Sequence, residues 1–185
     1  MRNRIHITSD GVNAHATLEV RASKIGIRIL QLLLVAEIAL FGWVGITLDA
    51  KELSGFAIPG LIIVIFFIGL PLKYLLWNLY GKEEMIVTAK SLSWRYDYRF
   101  FRTNWKTKKY DRLGTGFQKV RTENGLELGR LVFFNYSEDT GLPEVLHETT
   151  VLLSKPQIQN FDSEIAQIFR NDFLVVHGFI PFSEN

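Results

Sequence analysis

Residues 29–48 read ILQLLLVAEIALFGWVGITL, and residues 56–80 read FAIPGLIIVIFFIGLPLKYLLWNLY. A short polar segment, residues 49–55, separates these two apolar runs. An α-helix of about 20 residues rises roughly 30 Å, which matches the hydrocarbon thickness of a bilayer. The two runs therefore predict a transmembrane hairpin of two helices, which we place at residues 27–80.

Basic residues lie on both sides of this hairpin and are scarce in the loop that connects its helices. Those before and after it are Arg2, Arg4, Arg21, Lys24, Arg28, Lys82, Lys90, Arg95 and Arg99. The loop contains Lys51 alone, beside Asp49 and Glu52. Since Lys and Arg near helix ends are retained on the cytoplasmic side, both termini are expected in the cytoplasm. The chain has no cysteine, which suits a domain that faces the cytosol.

Glu37 interrupts the first apolar run. An ionised carboxylate at mid-bilayer depth costs several kcal/mol unless it is paired, neutralised or hydrated. Lys73 is the candidate partner, because a turn centred on residues 52–55 brings the two within about 9 Å in height. Two alternatives stay open. In one, Lys73 extends to the cytoplasmic headgroups while Glu37 is protonated or faces another subunit; in the other, Glu37 serves a proton or ion pathway.

Residues on either side of the hairpin alternate between apolar and polar types, which is typical of strands. Residues 1–26 contain two extended stretches, and we expect them to pair with the domain that follows the hairpin. Further strands are predicted at residues 85–88, 92–100, 104–110, 115–123, 126–136 and 145–153. The stretch 92–100 gives the clearest pattern, with the apolar residues from Leu92 to Phe100 on one face. Asn124-Gly125 predicts a tight hairpin turn.

The spacing of apolar residues changes after Ser154. Ser154 and Gln157 form a candidate capping box at the start of a helix. Apolar residues then recur at helical spacing at Ile158, Phe161, Ile165, Ile168 and Phe169. This pattern predicts one amphipathic helix over 155–170. The apolar tail at 173–177 is expected to form a last strand or a strip packed on a surface.

About six antiparallel strands followed by one helix are the element order of a pleckstrin-homology-like barrel, and a strand before the hairpin would supply the usual seventh. The chain thus resembles bacterial membrane proteins with such a domain. In length and layout it is also similar to the photosystem I assembly factor family of cyanobacteria and plastids, with residues 77–98 and 164–176 the most suggestive stretches.

The expected fold is therefore an α+β membrane protein. A two-helix transmembrane hairpin, residues 27–80, is inserted before an antiparallel pleckstrin-homology-like β-barrel with one C-terminal helix, residues 81–185. An N-terminal extended segment, residues 1–26, pairs with that domain. The resemblance implies an integral protein of the bacterial inner (plasma) membrane.

Motifs for catalysis or metal binding are missing from the sequence. The four histidines are His6, His15, His147 and His177, and no two have the i, i+4 spacing of a helical metal pair. No nucleophile turn or phosphate loop is present. The formal charge of +2 is too small to argue for nucleic acid. We therefore expect no enzyme activity, no metal and no cofactor.

A basic and aromatic stretch follows the hairpin closely. Its basic residues are Arg95, Arg99, Arg102, Lys106, Lys108, Lys109 and Arg112. Near a membrane surface each such side chain contributes about 1 kcal/mol of attraction to anionic headgroups. An acidic face of a partner protein would attract the stretch equally well. The other interpretation is that these residues are the solvated faces of strands whose aromatic faces form the core.

The sequence leaves three functions open. The first is a non-enzymatic membrane-anchored scaffold or assembly factor for a membrane protein complex, and the resemblance implies the assembly role. The alternative is an anionic-lipid or headgroup-binding module that uses the basic stretch. The third is an enzyme or ion carrier centred on Glu37. Expected partners are the bilayer, other membrane protein subunits and anionic lipids.

Overall fold

A computed structural model describes residues 4–20, 22–47, 50–171 and 179–180 of the chain. The described helices are α1 (Lys24–Thr47), α2 (Ala50–Tyr80) and α3 (Lys155–Asn171). The described strands are β1 (Arg4–Ser9), β2 (Ala14–Glu19), β3 (Lys82–Val87), β4 (Ser91–Asp97), β5 (Lys106–Lys109), β6 (Arg112–Glu123), β7 (Leu126–Tyr136), β8 (Pro143–Glu148), β9 (Leu153–Ser154) and β10 (Phe179–Ile180). The chain divides into two compact units, one at residues 20–81 and one that contains the strands and α3.

The helical unit consists of α1 and α2, and both begin earlier than the apolar runs predict. The Ser23 hydroxyl accepts a hydrogen bond from the Gly26 N–H at 3.0 Å and caps α1, so the polar residues from Lys24 onward are helical. Residues 50–55, predicted as a turn, belong to α2. Ala, Lys, Glu and Leu in this segment are strong helix formers, so its polarity does not stop the helix.

The two helices contact each other along one stripe and leave their other faces exposed. Half-buried positions in α1 recur at Leu30, Leu34, Glu37 and Phe41, which is helical spacing. The Phe41 ring of this stripe lies 6.4 Å, between centroids, from the Phe67 ring of α2. Lys24–Thr47 and Ile62–Tyr80 are long and apolar enough to cross a membrane, by length and composition.

The strands form two sheets. Sheet A has the order β1-β2-β3-β4-β5, and every neighbouring pair in it is antiparallel. Sheet B has the order β10-β6-β7-β8, with β9 also paired to β7. The expected α+β class with antiparallel sheets is confirmed. The described strands stay in two sheets and do not close into a barrel, so the closed barrel is not seen.

Strands from before and after the helical unit are neighbours in sheet A. The register of β2 on β3 runs from Ala14↔Val87 to Glu19↔Lys82. One hydrogen bond, from the Val20 N–H to the Gly81 C=O at 2.9 Å, continues this pairing within the helical unit. The insertion of two long helices therefore separates two strands that are adjacent in space.

The predicted strand 92–100 is too long. β4 ends at Asp97, and the chain turns at once because Arg99 adopts a left-handed backbone with φ of 73°. Phe100 consequently lies in a loop and is 70 % exposed, where the alternation had placed it in the core. The predicted strand 145–153 also divides into β8 and β9. The predicted apolar tail at 173–177 lies outside the described residues.

Helix α3 forms over the residues that its periodicity predicts and packs against strands of both sheets. The Gln157 side-chain carbonyl accepts hydrogen bonds from the N–H and the hydroxyl of Ser154, at 2.9 and 3.0 Å. The first of these is the bond that a capping box forms with the N–H of its first residue. The predicted apolar face of α3 is buried at Ile158, Phe161, Ile165, Ile168 and Phe169. The Phe161 ring meets the Phe133 ring of β7 edge to face, at 6.0 Å.

Asp162 is a carboxyl on the buried side of this helix. Only 7 % of the residue is exposed, and Oδ1 has no hydrogen-bond partner among the described residues. Burial raises the pKa of Asp162 from its ordinary 3.8 to about 6. The folded state therefore binds this proton more tightly than the unfolded chain does.

The raised pKa of Asp162 predicts a pH-dependent stability difference. The stabilising contribution of protonated Asp162 is fully present below about pH 4 and is lost as the pH rises to about 6. Between pH 4 and 7, Asp162→Asn should therefore gain about 2 to 3 kcal/mol of unfolding free energy relative to the wild type. Urea unfolding of the full chain in mild detergent at several pH values measures this.

Asp10→Asn is the matched control. Backbone N–H groups of Asn13 and Val12 lower the pKa of Asp10 to about 2, so its contribution is present above about pH 4 and is lost only as the pH falls towards 2. The difference between this variant and the wild type should change much less from pH 4 to 7 than the difference for Asp162→Asn. A flat difference for Asp162→Asn over the same range would contradict the prediction.

Candidate functional site

Glu37 is the polar member of the stripe on which α1 contacts α2. The residue is half-buried, and its Oε2 atom is enclosed without a hydrogen-bond partner among the described residues. Its neighbours on the stripe, Leu34 and Phe41, are apolar and provide no hydrogen bond. A carboxylate oxygen in such surroundings favours a donor brought from elsewhere.

The contact between Phe41 and Phe67 sets the register of the two helices. In antiparallel helices with these residues level, Glu37 is level with Pro71. Pro71 has no N–H, so the carbonyl of Phe67 lacks the donor that would bond to it in a regular helix. The middle of the hairpin thus holds an acidic side chain near a weakened turn of the opposite helix.

Lys73 lies two residues beyond Pro71, so its backbone is within about 3 Å of the height of Glu37. Its side chain is on the exposed side of α2, whereas Glu37 is on the contact stripe. The two residues are therefore close enough in height to pair, whereas their side chains lie on different faces of their helices. The predicted ion pair between Glu37 and Lys73 stays a prediction.

The outer face of sheet A carries a row of ion pairs. They are Glu19 with Lys82 at 2.9 Å, Glu84 with Arg95 at 2.5 Å, and Asp97 with Arg102 at 2.7 Å. These side chains point outward because they alternate along β2, β3 and β4 with the core residues. A groove of about 550 Å³ lies over part of this row and is also lined by Ile5, His6 and Thr17. The charges in the groove largely neutralise one another.

The structure divides the predicted basic stretch into paired and solvated groups. Arg95 and Arg102 are in ion pairs, and the Arg95 guanidinium also lies 4.4 Å from the centre of the Trp105 ring. Lys106, Lys108 and Lys109 are exposed on β5, at the edge of sheet A. Lysines on an edge strand hinder the pairing of another chain with that edge. The seven residues therefore do not form one uniform basic surface.

Three of these basic residues differ from one another in their surroundings. Lys108 donates a hydrogen bond of 3.5 Å to the Val145 carbonyl of β8. Arg112 begins β6, and its Nε atom is buried without a hydrogen-bond partner among the described residues. Arg99 lies in the loop after β4, and its N–H donates to Asp97 Oδ1 at 2.7 Å.

A buried carboxylate links the two sheets. Glu83 of β3 has no exposed surface, and its Oε1 lies 2.6 Å from His147 Nε2 of β8. Its Oε2 accepts hydrogen bonds from the N–H and the hydroxyl of Thr150, both at 2.8 Å, and from the Val151 N–H at 3.4 Å. One carboxylate oxygen is thus bonded to β8 of sheet B, and the other to the segment between β8 and β9.

Aromatic rings enclose His147. The Trp94 ring of β4 stacks on it at 4.4 Å, and the Phe133 ring of β7 is 6.4 Å away in a nearly parallel plane. Only 7 % of His147 is exposed. This arrangement holds the sheets together and gives a substrate no access to the pair.

Sequence reasoning missed this pair. The predicted strand began at Met85, three residues into β3, so it left out Glu83, which shares the inner face with Met85 and Val87. An acidic residue in phase with a buried alternation is a signal that would have found it. His147 had no such signal, because a bulge between Phe133 and Phe134 shifts the register of β7 on β8.

Among the described residues, no three His, Asp or Glu side chains cluster in a way that could hold a metal ion. His147 is bonded to Glu83, and His15 lies 3.8 Å from Asp10 in the exposed turn between β1 and β2. His6 lines the groove on sheet A. His177 lies outside the described residues.

No protein-family model matches the chain, and no curated protein matches it. The resemblance to the photosystem I assembly factor family therefore stays a prediction that rests on the order and spacing of the elements.

The buried pair predicts a large difference between two adjacent glutamates. Glu83→Gln removes the charge that four hydrogen-bond donors surround, so it should lower the unfolding free energy by about 3 kcal/mol. Glu84→Gln is the matched control, because Glu84 points outward and its ion pair with Arg95 is partly exposed. It should cost about 1 kcal/mol or less. Denaturation of the full chain in mild detergent, followed by tryptophan fluorescence, measures both, and equal losses would contradict the assignment.

Proposed function

We propose that this chain is a non-enzymatic, membrane-anchored scaffold or assembly factor for a membrane protein complex. In this proposal α1 and α2 span the bacterial inner membrane, both termini lie in the cytoplasm, and the strands and α3 form a pleckstrin-homology-like domain there. The observation that carries the proposal is the enclosed, unpartnered oxygen of Glu37 in an otherwise apolar hairpin.

The exposed surface of the hairpin supports its place in a membrane. Large apolar side chains on both helices are open, among them Leu32 at 70 %, Trp43 at 65 % and Phe66 at 65 %. Water-soluble monomers rarely expose contiguous apolar patches larger than a few hundred Å². Lipid or neighbouring membrane helices are the surroundings that suit such a surface.

The pairing of β2 with β3 supports the same side for both ends of the hairpin. These strands are hydrogen-bonded neighbours, so the chain must return to the side of the membrane that it left. An even number of crossings is then required, which fits two helices. The distribution of Lys and Arg favours the cytoplasm as that side.

Glu37 supports a partner within the membrane. The side chain is only half-buried, so it lies at the edge of the seam between α1 and α2, where another helix can approach. Within a bilayer a polar side chain on a helix marks either a functional pathway or a contact with another polar group. Interhelical hydrogen bonds of this kind contribute about 1 kcal/mol in membranes.

Purification of the full chain in mild detergent tests the proposal. We expect a membrane protein to co-purify in stoichiometric amount, and Glu37→Leu to weaken its retention by about tenfold, which corresponds to about 1.4 kcal/mol. Leu34→Ala, one turn away on the same stripe, is the control and should retain the partner. A wild-type chain that stays a lone monomer in several mild detergents would contradict the proposal.

An anionic-lipid or headgroup-binding module is the second candidate. The exposed lysines of β5 favour it. Their position disfavours it, because the register sets Lys109 opposite Ser91, at the end of β4 farther from the hairpin connections. Lys106 is opposite Trp94, so the three lysines lie three to six residues from Asp97 along the strand, or about 10 to 20 Å. These distances exceed the Debye length of about 8 Å at physiological salt.

Charge reversal tests the second candidate. If the β5 lysines bind headgroups, Lys106→Glu, Lys108→Glu and Lys109→Glu together should abolish the preference of the reconstituted chain for spin-labelled phosphatidylglycerol over phosphatidylcholine. Lys90→Glu, in the exposed turn between β3 and β4, is the single-site control. An unchanged preference in the triple variant excludes the β5 lysines as the lipid site.

A further inference from the structure

The loop between β4 and β5 begins at the end of sheet A where β2 and β3 connect to the helical unit. Asp97, the last residue of β4, is paired with Lys82 of β3, and Lys82 is paired with Glu19 of β2. Glu19 and Lys82 are the strand residues next to the two connections with the helical unit. Because neighbouring strands are about 4.8 Å apart, Asp97 lies within about 10 Å of both.

Hydrogen bonds hold this loop in one conformation. Asp97 accepts from the Arg99 N–H and from Arg102 Nε, both at 2.7 Å, through its two oxygens. The Tyr98 N–H donates to the Phe101 carbonyl at 3.0 Å, and the Thr103 N–H donates to the Tyr96 carbonyl at 2.9 Å. The aromatic side chains of the loop are therefore presented by a defined scaffold.

The loop exposes apolar rings at its tip. Phe100 is 70 % exposed and Phe101 is 45 % exposed. The Tyr98 and Phe101 rings stack at 4.4 Å with an angle of 13° between their planes, which stiffens the tip further. Exposing two adjacent phenylalanine rings to water costs free energy, because each ring has a large apolar surface.

We propose that the tip of this loop, Phe100 and Phe101, inserts into the lipid interface of the membrane that the hairpin spans. The inference rests on the membrane insertion proposed above. Aromatic side chains are enriched at membrane interfaces, where an apolar ring enters the boundary between headgroups and acyl chains. The register brings the loop to the end of the sheet from which the chain enters that membrane.

The charges around the loop define the kind of lipid contact. Arg102 is already paired with Asp97, and Arg95 is paired with Glu84 and stacked near Trp105. These two guanidinium groups are therefore compensated and contribute little to the selection of anionic headgroups. Insertion is therefore driven by the rings and is independent of lipid charge, which separates it from binding by the β5 lysines.

Single-cysteine labelling tests the inference, and the chain has no cysteine of its own. Phe100→Cys carries an environment-sensitive nitrobenzoxadiazole dye, and the full chain is reconstituted in phosphatidylcholine vesicles with nitroxide-labelled lipids. Val12→Cys is the matched control, because Val12 is 68 % exposed in the turn at the opposite end of sheet A. Leu32→Cys in α1, also 70 % exposed, reports on insertion of the hairpin itself.

We expect dye at position 100 to be quenched about threefold more strongly than dye at position 12, as for a group at the interface. Adding phosphatidylglycerol should leave this ratio unchanged. Equal weak quenching at both positions, with strong quenching at position 32, would overturn the loop inference and leave the anchoring intact. Quenching that needs anionic lipid would also overturn it, and weak quenching at position 32 would overturn the membrane insertion together with the loop.

A second labelled variant controls for local misfolding caused by the substitution at position 100. Phe101→Cys places the dye on the neighbouring ring position, which is less exposed, and its quenching should fall between those of positions 100 and 12. Dye at position 100 that is shielded only when a co-purified partner protein is added would assign the loop to a protein contact and overturn the lipid assignment. Loss of the partner in Glu37→Leu, with quenching at position 100 unchanged, supports the loop inference separately from the scaffold proposal.

Discussion

The pairing of β2 with β3 is the constraint on which the rest of the structure depends. It joins residues on either side of two long helices and sets the register from Ala14↔Val87 to Glu19↔Lys82. Because side chains alternate along a strand, this register decides which residues enter the core and which form the outer row of ion pairs. It also fixes the end of sheet A at which the connections, the charged groove and the aromatic loop all lie.

Periodicity in the sequence predicts the long elements well. The helical hairpin, helix α3 with its Ser154 cap and the turn at Asn124-Gly125 each have a local signal that tertiary packing does not override. Strand ends are less predictable. The alternation from Leu92 to Phe100 continues past the real end of β4, because the turn depends on Asp97 and on the left-handed backbone of Arg99, and a pattern of apolar residues contains neither.

The candidate sites are harder to predict from the sequence than the fold is. Glu37 stands out as a lone acid in an apolar run, and its enclosure beside α2 agrees with that signal. Glu83 and His147 are 64 residues apart, and only the packing of one sheet on the other brings them together. The seven basic residues from Arg95 to Arg112 form one group in the sequence. Glu84 of β3 pairs with Arg95, and Asp97 pairs with Arg102 across the turn that follows β4. A pattern of residue types within one segment reveals neither the partner strand nor this turn.

The separation of β2 from β3 along the chain also bears on biosynthesis. The β1–β2 ribbon is synthesised before the helices, and the edge of β2 that pairs with β3 has no partner strand until both helices and then β3 have been made. A lone two-stranded ribbon is marginally stable in water. Sheet A can therefore be completed only after the whole helical unit and β3 have been synthesised.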